Sequence, residues 1–318
     1  MPDAPGFQKT FGGVNLRAMN KHLILVAGPT ASGKTAMAIR LAQEFGTEII
    51  SADARQVYRE MPIGTAMPTA QELSAVPHHL VGHRSVTEPY DAADYATEAE
   101  KTAKALFSKY DKVILCGGSG LYIKAFLDGL DEIPEVPEDI RTTIHSEYAE
   151  KGMPWLQQAV AQADPDWYRI ADTSNPRRLL RALEVFRAAG KPLSAFQTGT
   201  KKTHPYSIIR IALEIPRKEL GERIDRRVDA MVAEGLFAEA EGLFPLRHLP
   251  ALQTVGYREI FGYLEGKWGR EEAIRLIKQH TRQYAKRQLT WFRRDETISW
   301  FDPGKPEEIL SHLLERIS

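Results

Sequence analysis

Apolar residues fall into two kinds of segment along this chain. Some are short unbroken runs, and others are longer stretches where apolar positions recur every three or four residues. The first run, residues 23–27 (LILVA), stops at Gly28. Residues 35–45 follow with Met37, Ala38, Leu41, Ala42 and Phe45 at helical spacing, and Gly46 punctuates that helix. A second run, residues 48–52, ends at Asp53, and a third, residues 112–116, ends at Gly117 and Gly118. Runs this short, separated by helical segments, predict buried parallel strands in a doubly wound α/β sheet with helices on both faces. In such a sheet the ligand crevice lies beyond the carboxyl ends of the strands.

The pattern changes at residues 131–138 (DEIPEVPE), where two prolines and four acids mark a boundary. Residues 141–152, 155–162 and 176–189 each read as an amphipathic helix, and residues 199–205 read as the linker that closes an insertion. Residues 207–215 are strand-like again, and Trp300 and Phe301 fit a last strand. The expected organisation is a core of residues 21–130 and 203–318, interrupted by an all-helical insertion, residues 131–202. Residues 1–20 lack periodicity and are expected to be a loose tail, with Met19 an alternative initiator.

Composition narrows this picture. A chain of 318 residues with 43% hydrophobic content can bury one substantial core and a smaller second one. No run approaches the roughly 20 apolar residues of a membrane helix, and the N-terminus lacks the apolar segment of a secretory signal. The expectation is a cytoplasmic, monomeric protein. The single cysteine, Cys116, excludes an internal disulfide and is expected to be a buried, inert thiol. Basic and acidic residues balance at 42 each, so only local distribution can speak for a nucleic-acid partner. Between Arg275 and Arg294 there are seven basic residues and no acidic one, which predicts a local positive field.

The chemistry starts where the first strand ends. Gly28, Pro29, Thr30, Ala31, Ser32, Gly33, Lys34 and Thr35 meet the pattern GxxxxGK[ST], with a strand before and a helix after. The two glycines let backbone N–H groups turn toward phosphate oxygens, and the helix N-terminus adds partial positive charge. Lys34 supplies a mobile ammonium, and the Thr35 hydroxyl is placed to bind magnesium. Asp53 emerges on the same rim. From sequence it can order magnesium through water, accept a proton from a nucleophile, or cap the next helix. Arg55, Gln56 and Tyr58 suit the reading of a base or the start of a solvated helix. Ser119, in the turn GGSG, can donate to a phosphate oxygen. No acid ends the strand VILC, which disfavours a nucleotide-driven motor.

Three further groups have bland readings. His78, His79 and His83 lack the companions of a zinc shell. Arg177, Arg178 and Arg181 suit either phosphate contacts or a solvated helix face. Between residues 274 and 292, Ile274, Ile277, Ala285, Leu289 and Phe292 form one face. Arg275, Lys278, Arg282 and Lys286 form another, as on any surface helix.

Taken together, GPTASGKT, SADARQVY with MPIGTAMP, CGGSGLYIKA, NPRRLLRALEVF, VGYREIFGYLEG and TRQYAKRQLTWFRR resemble the tRNA dimethylallyltransferase family, in order over residues 21–302. The resemblance implies a P-loop NTPase-like core. It also implies transfer of a dimethylallyl group from dimethylallyl diphosphate to N6 of adenosine 37 in tRNA, so that the loop holds a leaving diphosphate and not a nucleotide. It implies Asp53 as general base at N6, Ser119 at the leaving oxygen, and Lys34 and Arg223 as neutralising cations with magnesium on Thr35. Asp53, Ala54, Arg55, Gln56, Ser119, Arg141, Arg177, Arg178, Leu179, Leu180, Arg181, Gly256, Tyr257 and Arg258 match segments that touch the tRNA. The sequence departs from the family pattern at Ala54, where serine is common, at Met67, where lysine is common, and at Ser119, where threonine is common. A small-molecule or nucleoside kinase and a non-catalytic nucleotide-binding regulator are the alternatives.

Overall fold

A computed structural model describes residues 21–199 and 201–317, so the expected N-terminal tail, Met19 included, lies outside the described residues. In chain order, β1 (His22–Ala27) leads through the P-loop to α1 (Lys34–Glu44), followed by β2 (Ile49–Ala52), α2 (Ala70–Ala75), β3 (His78–His79) and α3 (Ala92–Phe107). Next come β4 (Lys112–Gly117), α4 (Gly120–Leu127), α5 (Glu138–Ala163), α6 (Pro165–Ile170) and α7 (Pro176–Ala189). The chain ends with β5 (Ser207–Leu213), α8 (Arg217–Glu234), α9 (Leu236–Leu243), α10 (Tyr257–Leu264), α11 (Arg270–Phe292), β6 (Ser299–Phe301) and α12 (Pro306–Ile317).

The six strands form one parallel sheet in the order β3-β2-β4-β1-β5-β6. Strand β1 is buried along its whole length because its residues alternate between two apolar layers. Leu23, Leu25 and Ala27 face a core that also takes Tyr95, Phe126, Leu236, Ile260 and Ile277. Ile24 and Val26 face a smaller core built with Met37 and Leu41 of α1 and Ile309 and Leu313 of α12. Helices therefore cover both faces, which is the doubly wound α/β architecture expected from the short apolar runs. The two-residue strand β3 was not expected. It pairs His78 and His79 with Ile49 and Ile50, and nothing in its composition announces it.

Contacts divide the described residues into two units, with Gly129–Lys202 as the second. Its regular elements among the described residues are all helices, and it has its own core, in which Ile144, Leu156, Val160, Trp167, Leu179 and Leu183 meet. Asn175 caps α7 by accepting the Arg178 N–H, Pro176 occupies the first turn, and Gly190 closes the helix with φ 67°. Residues 141–152 and 155–162, read separately from sequence, are two helices within the α5 span, broken at Gly152, whose backbone is non-helical (φ 73°), just before Pro154. Asp164, almost fully buried, accepts from Trp167 N–H at 3.2 Å and from the Ser194 N–H and hydroxyl at 2.8 Å each, tying α6 to the segment after α7.

Candidate functional site

The carboxyl ends of β1, β2 and β4 deliver the P-loop, Asp53 and the Gly117–Gly120 turn to one edge of the sheet. Gly28 sits at φ 148°, Gly33 at φ 91° before α1 and Ala31 at φ 64°, so the loop holds two positive-φ residues that glycine accepts readily and one that alanine rarely adopts. Lys34 Nζ folds back to donate to the Pro29 carbonyl at 3.2 Å. Burial, with Arg227 nearby, pulls the Lys34 pKa below the ordinary lysine value, and Cys116 and Asp53 oppose that shift. Burial pushes the Cys116 thiol up to about 12, so it stays protonated beneath the loop, its Sγ 3.6 Å from the Lys34 carbonyl.

Asp53 is half-buried, and its Oδ1 accepts the N–H groups of Arg55 (2.9 Å) and Gln56 (3.3 Å). One oxygen therefore fixes the turn after β2 while Oδ2 makes no further hydrogen bond among the described residues. Asp53 lines a tight pocket of about 40 Å³ with Thr30, Lys34, Thr35, Gln56, His78 and Arg227. An adjoining cavity of about 610 Å³ shares Lys34, Thr35, Pro68 and Arg227. It adds Arg223 and an apolar wall that includes Ile63, Met67 and Met231. A lining that combines cations with apolar side chains suits a small amphiphile with an anionic head.

The turn after β4 is tied to β2. Gly117 approaches Ala52 so closely that a Cβ there would lie 2.1 Å from the Ala52 carbonyl oxygen, so no larger residue fits. Ser119 N–H donates to that carbonyl at 3.2 Å, while its hydroxyl accepts the Ala54 N–H at 2.8 Å and reaches Tyr284 of α11. Burial drives the Tyr284 phenol up to about 12, so it is neutral at physiological pH. Ala54, Asp53 and Ser119 thus form one connected corner, and the Ala54 contact runs through its backbone, where a serine side chain is not needed.

Several expected site residues are employed differently from the sequence reading. Gln56 spends both amide hydrogens on the Thr65 (3.2 Å) and Ala66 (2.9 Å) carbonyls, fixing the loop of residues 61–68. Arg223 pairs with Glu219 at 2.7 Å, four residues back on α8. One turn further on, Arg227 reaches the Thr30 hydroxyl at 3.4 Å and lines both cavities. Burial lowers its pKa against the pull of Asp53 and Glu72. Sequence reasoning missed Arg227, although its i,i+4 spacing from Arg223 puts the two on one helix face. His78, set aside as a doubtful zinc ligand, donates from Nδ1 to the Val76 carbonyl at 2.8 Å, which leaves a buried Nε2 without a partner among the described residues. His79 and His83 pair with Glu48 (2.6 Å) and Glu98 (2.8 Å).

The residues expected at RNA lie in three places. In the helical unit Arg177 and Arg178 are exposed, while Arg141 and Arg181 flank the buried Glu184 at 4.0 and 3.9 Å, with His145 at 3.2 Å. Leu179 and Leu180 are buried in that unit's core, which removes their side chains from the expected contact set. Tyr257 is fully buried, its hydroxyl donating to Glu239 at 2.6 Å, and Gly256 is buried beside it. Of that segment only Arg258 stands exposed. Glu239 also accepts the Ile63 (2.8 Å) and Gly64 (2.9 Å) N–H groups, so Tyr257 acts as a brace for the loop of residues 61–68.

The acid-free basic run needs the largest correction. Lys278 pairs with Asp229 at 2.6 Å and Arg282 with Asp225, both on α8, while Arg275 pairs with Glu272 at 2.6 Å and Arg293 with Glu214. Acids outside the run, three of the four distant in sequence, thus neutralise much of the expected field. Lys286, Arg287 and Arg294 are exposed and line a shallow depression with Gln283, Thr290 and the partly exposed indole of Trp291.

Comparison with known proteins points to one family. The family model described as IPP transferase matches residues 56–295. A tRNA dimethylallyltransferase of Cytophaga hutchinsonii is 46% identical over 295 residues, covering 93% of this chain and 97% of that protein. One from Christiangramia forsetii is 46% identical over 284 residues, covering 89% and 94%. Among solved structures, the full-length tRNA isopentenylpyrophosphate transferase from Bacillus halodurans superposes with TM-score 0.69 at 36% identity, covering 93% of this chain and 97% of that one. A eukaryotic dimethylallyltransferase acting on tRNA superposes with TM-score 0.74 at 26% identity, covering 89% and 74%.

Proposed function

This chain belongs to the IPP transferase family, and from that premise we propose that it transfers the dimethylallyl group of dimethylallyl diphosphate to N6 of adenosine 37 in tRNA. The observation that carries the reading is the convergence of Asp53 with Lys34, Thr35 and Arg227 around one pocket, beside a larger cavity lined by both cations and apolar side chains. An allylic C–O bond breaks readily once its diphosphate is stabilised, because the cation left behind is delocalised. P-loop N–H groups, Lys34, Arg227 and Arg223 meet that need. The C1–N6 bond then forms, and the N6 proton passes to Asp53 Oδ2, the oxygen not engaged in holding the turn. Ser119, fixed by Ala54 and Tyr284, holds the corner at which donor and acceptor meet.

Magnesium fits the available donors. The Thr35 hydroxyl is a hard oxygen ligand lining that pocket, and a diphosphate brings more, so the ion would neutralise charge on the departing group. The helical unit supplies RNA contacts through Arg141, Arg177, Arg178 and Arg181, and the core supplies them through Arg258, Lys286 and Arg287. Flipping the base from its stack costs a few kcal/mol, which such contacts offset.

The test is incubation with labelled dimethylallyl diphosphate and a tRNA bearing adenosine 37, with ATP and no prenyl donor as the control. Label in the tRNA without ATP is expected. ATP-dependent phosphorylation of a small molecule without prenyl incorporation would turn the assignment to the kinase alternative.

A further inference from the structure

Gln288 is the buried polar exception on the apolar face of α11, flanked at helical spacing by Ala285 and Phe292. Its side chain leaves the helix and enters the candidate site. Oε1 accepts the Thr30 N–H at 2.8 Å, and Nε2 donates to the Gly118 carbonyl at 2.8 Å. Only this orientation of the amide satisfies both partners, since one is an obligate donor and the other an obligate acceptor. The fit is close: a Cβ on Gly118 would lie 2.3 Å from Nε2.

From this geometry we propose that Gln288 is a positioning residue that sets the P-loop and the Gly118–Ser119 turn at a fixed separation, holding the diphosphate cradle in register with the acceptor corner. Two neighbouring positions on α11 support the assignment. Tyr284, one turn earlier, reaches Ser119, and the indole of Trp291, three residues later, packs on Gly120. Positions 284, 288 and 291 share one helix face, so the helix clamps the turn at three successive residues and hydrogen-bonds to the P-loop through Gln288. The clamp also accounts for the Thr30 N–H, which points at α11 and is not among the amides free for phosphate. The inference rests on the prenyl-transfer reading for its consequence and on the two hydrogen bonds for its geometry.

Replacing Gln288 by Leu removes both bonds at similar volume, while Gln288→Glu keeps the acceptor and loses the donor when ionised. A neutral carboxyl restores both, because its hydroxyl can donate to Gly118 while its carbonyl accepts from Thr30. Q288L is therefore expected to lower the single-turnover transfer rate per folded enzyme by about tenfold to a hundredfold at saturating substrates, the scale of a small misalignment. Its affinity for inorganic pyrophosphate should change less than about threefold, because the other loop amides remain. The rate of Q288E relative to wild type should climb severalfold as the pH falls from about 8 to about 6, since burial raises a carboxyl pKa. Hydrogen exchange over residues 28–35 and 117–120 supplies a readout independent of activity, and exchange should be about tenfold faster in Q288L. Exchange unchanged from wild type would overturn the clamp even if no protein in the series transferred a prenyl group. That last outcome in the wild type would instead count against the proposed function. With an active wild type, a Q288L rate equal to it, or a flat pH ratio for Q288E, would reduce Gln288 to a packing residue.

Discussion

Replacing Asp53 by Asn separates its two roles, because its two oxygens do different work. Oδ1 accepts two backbone N–H groups, at 2.9 and 3.3 Å, and the amide oxygen of asparagine can keep both. The turn should survive, with Tm within about 2 °C of wild type. Asp53→Ala removes both bonds from a half-buried turn, a loss of about 1 kcal/mol that lowers Tm by roughly 2–4 °C. Transfer should fall in both variants by about a hundredfold or more, the usual contribution of a positioned general base. Electrostatics supplies a second sign. Asp53 lies close enough to Lys34 and Arg227 to favour their charged forms, so its carboxylate also repels an incoming diphosphate. Neutralising it should leave inorganic pyrophosphate binding equal to or tighter than wild type. Single-turnover incorporation, thermal unfolding and calorimetric titration of pyrophosphate together decide the matter. A D53N rate within about threefold of wild type would remove Asp53 as base, and a weaker pyrophosphate affinity would place it among the diphosphate ligands.

Three other outcomes follow from the same geometry. Because burial lowers the Lys34 pKa, pyrophosphate affinity should persist below that pKa and be lost as pH rises through it. That alkaline limb falls before the ordinary lysine value of about 10.4, and a limb at or above it would contradict the burial argument. Arg227→Met should weaken pyrophosphate binding about tenfold or more and Arg223→Met less, since Arg223 is already paired with Glu219. The reverse order by calorimetry would restore Arg223 as the principal cation. Lys286→Glu should lower the slope of log affinity for tRNA against log salt by about one, while Arg282→Glu should act mainly on stability by facing Asp225. Equal changes in slope would return the whole basic run to the RNA surface.

The parts of the molecule that could be read from sequence are those fixed by local chemistry. The apolar runs of β1 and β4 are buried on both faces, so they show as unbroken hydrophobic segments, and the P-loop shows because only glycine and lysine in that order make it. Long-range geometry stayed hidden. The two residues of β3 carry no periodicity and pair only because β2 lies beside them. The acids that neutralise Arg282 and Lys278 sit about fifty residues earlier, on α8, so a local charge count overstates the field. Gln288 breaks an apolar stripe for a reason visible only once Thr30 and Gly118 are brought to it. Leu179, Leu180 and Tyr257 lie in segments matched to RNA contact, yet their side chains serve cores and braces. A motif marks a neighbourhood, and burial decides which of its members face outward.

The proposed grip of the P-loop on a leaving diphosphate, with Asp53 addressing an exocyclic amine, predicts a defined product. The most direct test is mass spectrometry of nuclease-digested tRNA after reaction with dimethylallyl diphosphate, with released diphosphate measured in parallel. The expected result is a dimethylallyl group on N6 of adenosine 37, one diphosphate released per modified base, and no product with a tRNA that carries guanosine at that position. Unmodified adenosine 37, or diphosphate released without a matching modified base, would contradict the account.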